Sequence, residues 1–165
     1  GRPDLHVVVA GEDRLFYGAP PPGGGSWKQA MLRELDGLDR SRVHFVGSLS
    51  YEDYRRLLRR SSAHVYLTVP FVLSWSLLEA MACGCAVVAS DTAPVREFVT
   101  DGTDGLLVDF FSARALADRV GRVLADDSLA AALRRAARAT ALARLSLSRL
   151  LPRQIAMLRA IAAGR

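Results

Sequence analysis

Phe71-Val-Leu-Ser-Trp-Ser-Leu-Leu-Glu79-Ala-Met-Ala-Cys-Gly84, followed by Ala86-Val-Val-Ala89 and then Ser90-Asp91, is the stretch from which the fold of this 165-residue chain is read. It predicts a loop, an apolar helix opening at residues 74–76, a tight glycine turn at Gly84 and a buried strand. One carboxylate, Glu79, stands among Leu77, Leu78, Ala80, Met81 and Ala82. A charge in such a setting needs a partner that offsets its desolvation. The helix opening offers backbone N–H groups that lack an intrahelical acceptor and suit an anion. Together these features describe a place for a phosphate at a helix tip and for a hydroxyl-bearing group one turn further in.

Outward from this stretch the pattern repeats. Leu5-His-Val-Val-Val-Ala10 is a near-continuous apolar run ending in Gly11, as expected of a strand buried on both faces. Residues 12–25 contain Ala19-Pro-Pro-Pro-Gly-Gly-Gly25 and are loop. A helix is predicted over 27–35 with Ser26 as its N-cap, and another over 51–60 introduced by Ser50. Strands are predicted at 42–47, 64–68, 86–90 and 106–109, and helices alone at 113–125, 129–143 and 147–163. Alternating strands and helices with short connections indicate an α/β fold, a parallel sheet with flanking helices and right-handed crossovers. Ligands of such sheets bind at the carboxyl ends of the strands, so Gly11, Gly47, Pro70 and Asp91 are expected to rim one crevice.

Half the residues are hydrophobic, which suits a single packed domain over 1–165. The long apolar stretches are broken by Pro70 and by polar residues, and Gly1-Arg-Pro-Asp-Leu opens directly into a strand. The expectation is therefore a cytoplasmic protein without a spanning helix or leader. Cys83 and Cys85 have no further Cys or clustered His beside them, so they read as small buried residues and no metal site is expected. The net charge of +5 permits nucleic-acid binding, but the arginines are scattered along helices and Lys28 is the one lysine, so a solvated helix surface and no nucleic-acid partner are expected. Some of these arginines are compatible with peripheral contact to an anionic membrane.

The string Leu77-Leu-Glu-Ala-Met-Ala-Cys-Gly84 with Val87-Val-Ala-Ser90, then Glu97-Phe-Val-Thr-Asp-Gly102 and Gly105-Leu-Leu-Val108, resembles the C-terminal, donor-binding domain of family-4 retaining glycosyltransferases. The resemblance covers nearly the whole chain. It implies a Rossmann-like parallel sheet with C-terminal helices, one half of a GT-B enzyme. The substrate it implies is a nucleoside diphosphate sugar of the UDP or GDP type, with no further cofactor. The acceptor, a glycan, a lipid or a small molecule, would be held by an N-terminal domain. That domain, and a first strand whose loop carries an Arg and a Lys for the diphosphate, find no counterpart before Gly1, so the chain reads as part of a larger enzyme, inactive alone.

In such enzymes two glutamates stand eight residues apart. By resemblance the second is Glu79, which would accept hydrogen bonds from both ribose hydroxyls, and Phe71 occupies the place of the first. A phenylalanine can neither bind sugar hydroxyls nor stabilise developing positive charge. Leu73, Ser74, Trp75 and Ser76 fall where backbone amides meet the distal phosphate, Val72 and Ser74 replacing the usual glycines. The region from Gly47 to Leu49 is implied to select the base. Glu12, Asp13, Asp91 and Glu97 are candidate rim residues.

Each of these has a plainer reading. Ser76-Leu-Leu-Glu79 also fits a capping box, in which the glutamate turns back to the helix opening. The loop before it can be an ordinary Pro-terminated connection, and Phe71 simple packing. Glu12 and Asp13 fit a solvated loop, His6, His44 and His64 read as satisfied sheet residues, and Asp101-Gly102 and Asp104-Gly105 as turns. The leading function is the donor half of a retaining, metal-independent glycosyltransferase, no Asp-x-Asp motif being present. The rivals are a non-catalytic nucleotide-binding or regulatory module, favoured by Phe71, and a basic nucleic-acid scaffold, disfavoured by Glu79 and the acidic rim residues.

Overall fold

A computed structural model of the chain describes residues 4–15, 18–35, 39–69 and 72–164. The elements follow as β1 (Val7–Ala10), α1 (Trp27–Glu34), β2 (Val43–Gly47), α2 (Tyr51–Arg60), β3 (His64–Tyr66), α3 (Trp75–Cys83), β4 (Val87–Ser90), α4 (Ala93–Arg96), β5 (Leu106–Val108), α5 (Ala113–Ala125), α6 (Asp127–Leu145) and α7 (Leu147–Ala162). Two compact units divide them, residues 1–54 and 55–165. All paired strands are parallel, but they form two hydrogen-bonded sheets rather than one: β1-β2 in the first unit, β3-β4-β5 in the second.

In the second unit β4 is central, with Tyr66 opposite Ala89 and Ala89 opposite Leu107. Every residue of β4 is buried, as its unbroken apolar run predicts for a strand covered on both faces. Ala86, Val88, Leu106 and Val108 form one core cluster with Val123 of α5 and Ala130 and Leu133 of α6. The α6 residues Ala130, Leu133, Ala137 and Ala141 recur at helical spacing and are all buried, and small side chains there let α6 lie close against α3.

The first unit departs from the sequence expectation. Val7, Val8 and Val9 of β1 are 47, 42 and 39% exposed, although the run reads as doubly buried. Burial of both faces requires a layer on each. Among the described residues the one α-helix wholly within this unit, α1, has eight residues and buries none. Ser26 does cap α1 through a reciprocal capping box with Gln29, and Ser50 opens α2 by accepting the Asp53 N–H at 3.1 Å.

Three of the four arginines of α6 are not merely solvated. Arg134 donates to the carbonyls of Ser61 and Ser62, Arg138 to that of Ala82, and Arg144 to that of Glu97 while lying 4.7 Å over the Phe98 ring. They satisfy carbonyls at the ends of α2, α3 and α4 that have no intrahelical donor. Asp104, read as turn chemistry, is buried and bonds both the Thr100 N–H and the Thr140 hydroxyl, each at 2.7 Å, tying its turn to α6.

Candidate functional site

The helix tip that the sequence marks as an anion site forms as α3, but one residue pattern earlier than a Ser76–Glu79 capping box requires. Its N-cap is Ser74, whose hydroxyl accepts the Ser76 N–H at 3.3 Å and lies 3.0 Å from the Ser76 hydroxyl. Ser76 is thus inside the helix, and the N3 position that a capping box needs is Leu77, with Glu79 two residues further on. The capping-box reading of Glu79 is overturned.

Glu79 is half-buried, flanked in sequence by half-buried Leu78 and buried Ala80. Leu77, Ala80 and Met81 are fully buried and fix which face of α3 meets the core. Ser76 and Glu79, three residues apart, share a different face, with Trp75 one helical turn before Glu79 and 81% exposed. Leu73 is half-buried and Val72 exposed. Gly84 closes the helix in the left-handed region at φ 76°, its N–H donating to the carbonyls of Ala80 and Met81, so the glycine is demanded by the turn.

Two features of the tip were not legible in the sequence. The Ser74 N–H, one of the amides implied to meet the distal phosphate, donates to the Tyr66 hydroxyl at 3.0 Å. The Thr68 N–H donates to the fully buried Ser90 hydroxyl at 2.7 Å. The visible signal for Tyr66 was only that a tyrosine ending a buried strand must find a partner for its hydroxyl. Phe71 and Pro70 lie outside the described residues.

In the first unit, Gly47, Glu12 and Asp13 come together around a cavity of about 350 Å³, which Trp27, Lys28 and Phe45 also line. Gly47 has φ 67° and sits at a register shift, Val9 pairing with Phe45 and Ala10 with Gly47, and all four residues line the cavity. The two rim carboxylates are engaged rather than loosely solvated. Glu12 accepts from the Ser48 hydroxyl at 3.0 Å and pairs with Arg14, while Asp13 accepts from the Ser26 hydroxyl at 2.7 Å and from the Lys28 N–H at the start of α1. Lys28 places its ammonium 4.9 Å over the Phe45 ring.

Asp91, at the end of β4, is clamped by both nitrogen arms of Arg96, which holds its carboxyl below the usual range. It borders a second, open cavity of about 460 Å³ with Arg96, Asp101 and Arg119. Glu97 ends α4 and is exposed. His6 and His44 stack, with Nδ1 and Nε2 2.8 Å apart, and burial lowers the pKa of His64. Cys85 is buried but Cys83 only half so.

The sequence model of the family described as glycosyl transferases group 1 matches residues 1–140. The chain belongs to this family. Its parallel strands and crossing helices are the Rossmann-like architecture of one half of a GT-B glycosyltransferase. It is 37% identical over 127 residues to D-inositol 3-phosphate glycosyltransferase of Xylanimonas cellulosilytica, covering 71% of this chain and 29% of that protein. It is 30% identical over 106 residues to the N,N'-diacetylbacillosaminyl-diphospho-undecaprenol alpha-1,3-N-acetylgalactosaminyltransferase of Campylobacter jejuni, covering 64% of this chain and 28% of that one. In structure it superposes on Anabaena Alr3699/HepE in complex with UDP with a TM-score of 0.76 at 25% identity, over 96% of this chain and 42% of that one. The chain thus spans less than a third of the length of the Xylanimonas and Campylobacter enzymes and under half of the Anabaena protein. No helix among the described residues is long and apolar enough to cross a membrane.

Proposed function

We propose that this chain is the donor-binding part of a retaining, metal-independent glycosyltransferase that uses a nucleoside diphosphate sugar of the UDP or GDP type. The observation that carries the reading is the half-buried Glu79 on α3, set on the Ser76 face just beyond the helix tip. A single ionised carboxylate there suits two adjacent ribose O–H donors. The UDP complex of the similar Anabaena protein supports it. With the Ser74 amide engaged by Tyr66, contacts to the donor phosphates fall to the Ser74 and Ser76 hydroxyls and to basic groups contributed by the rest of the enzyme. Metal independence rests on the lack of an Asp-x-Asp sequence.

The acceptor is a glycan, a lipid or a small molecule bound by the remainder of the whole protein, in the cytoplasm or at its membrane face. This chain alone is proposed to transfer no sugar, because positioning donor against acceptor contributes about 7 to 11 kcal/mol in favourable cases. Phe71 at the position of the family's first glutamate favours a second reading, a nucleotide-binding or regulatory module. Calorimetric titration with UDP, GDP and their sugars tests the donor site. Glu79→Gln should weaken binding by about 1.5 to 3 kcal/mol, the range for a hydrogen bond to a charged group. Unchanged affinity in that variant removes Glu79 from the site.

A further inference from the structure

Two buried hydroxyls on neighbouring strands reach the two ends of the connection between β3 and α3. Tyr66, the last residue of β3, is 8% exposed, and its hydroxyl accepts the N–H of Ser74, eight residues on. Ser90, the last residue of β4 and fully buried, accepts the N–H of Thr68. Ser74 is in turn the N-cap of α3, bonding the Ser76 N–H and hydroxyl. A continuous set of hydrogen bonds thus runs from the sheet through Tyr66 to Ser74 and into the first turn of the helix that carries Glu79.

We infer that Tyr66 is a positioning residue of this site, fixing the tip of α3 against the end of the sheet so that the Ser74 and Ser76 hydroxyls and Glu79 present one spatial relation to a ligand. The inference rests on α3 being the donor helix. An unanchored tip can tilt or fray, since the Ser74 N–H would exchange a side-chain acceptor inside the protein for water. A misplaced contact group loses affinity even when every contact residue is still present. Ser90 does the same for the start of the connection at Thr68, so the two hydroxyls constrain it at both ends.

Tyr66→Phe isolates the hydroxyl, because the ring and its packing remain. In the 165-residue chain, amide hydrogen exchange at Ser74 and Ser76 should accelerate, and affinity for UDP or GDP should fall about threefold to tenfold, the equivalent of one ordinary hydrogen bond. Val123→Ala serves as the control: Val123 lies in the core on α5, so its truncation lowers the melting temperature and should leave affinity alone. Affinity of Tyr66→Phe within twofold of wild type, whatever its melting temperature, overturns the positioning role while Glu79 keeps its own. Equal loss of affinity in Val123→Ala also overturns it, since the effect is then general destabilisation. If wild type binds neither nucleotide, the donor-site reading itself falls and this inference with it.

Discussion

Phe71 and Cys85 show what one side chain can and cannot announce. The resemblance to family-4 enzymes implies a glutamate at the position of Phe71, and the identity of the residue is all the sequence offers, since no neighbouring pattern says what would meet a sugar in its place. In the whole enzyme, Phe71→Leu should cost little in turnover and Phe71→Glu should impair it, since a carboxylate taken from water is costly unless it is paired. Donor turnover of the whole protein checks this: an inactive wild type rescued by Phe71→Glu would overturn the enzyme reading in favour of a binding module. Cys85 was legible as a small buried residue, and its chemistry follows from burial. Its thiol donates to the Leu58 carbonyl at 3.0 Å, and burial, reinforced by Cys83 and opposed by Arg134, pushes its pKa up to about 12. A thiol reagent at pH 8 should therefore modify no more than one cysteine in the native chain, and both after denaturation. Because the folded value lies above the ordinary one of 9.0, the folded state keeps this proton longer. Its contribution to stability is whole below that value and drains away as pH rises towards 12. A melting temperature that falls over this window in wild type but less in Cys85→Ala would confirm the sign, and an equal fall in both would deny it.

At the scale of elements, the helices were the legible part and their chemical ends were not. The boundaries of α2 and α5 agree with the sequence prediction to the residue, because each has a capping serine before it and an amphipathic period within it. The start of α3 was ambiguous for a physical reason: Ser74 and Ser76 are both good caps, and only the fold decides which backbone turns extended. Ser74 wins with ψ 143° and its N–H held by Tyr66, a contact between residues that no local pattern links. Strand ends suffered in the same way, β3 stopping at Tyr66 where 64–68 was predicted, since pairing with β4 ends at Ala89. The other end of α3 was readable from one glycine. Gly84 has φ 76°, and the space around it would admit a methyl group, the nearest atoms to a built Cβ being 3.9 Å away. Gly84→Ala should thus destabilise through backbone strain alone, by about 1 to 2 kcal/mol, and Gly84→Asn by less, because asparagine tolerates the left-handed region. Chemical denaturation of the three proteins compares them, and equal stability of wild type and Gly84→Ala would show that the turn relaxes.

At the scale of the whole molecule, burial is distributed far less evenly than the sequence suggests. Composition predicts one core, and alternating strands predict one sheet, yet apart from Pro21 every buried apolar side chain among the described residues lies between Leu58 and Ala141. The apolar run of β1 is as hydrophobic as that of β4, so periodicity cannot separate them. What differs is the cover: β4 has α5 and α6 packed near it, whereas the runs of β1 and β2 are exposed or half-exposed. Apolar burial at about 25 cal/mol per Å² is the main favourable term in folding, so a unit that buries little holds its hydrogen bonds weakly. Amide hydrogen exchange of this chain should therefore show two classes. The amides of β4, β5 and the central turns of α3 and α6 should exchange slowest, through opening of the whole second unit. Those of β1 and β2, though laddered in register from Val7 with Val43 to Val9 with Phe45, should exchange orders of magnitude faster. Limited proteolysis should agree, cutting first before residue 54 and leaving a fragment that retains 58–141. If the β1 amides prove as protected as those of β4, the β1-β2 sheet draws stability from a source other than its own buried surface, and the division into one well-packed and one weakly packed unit is wrong.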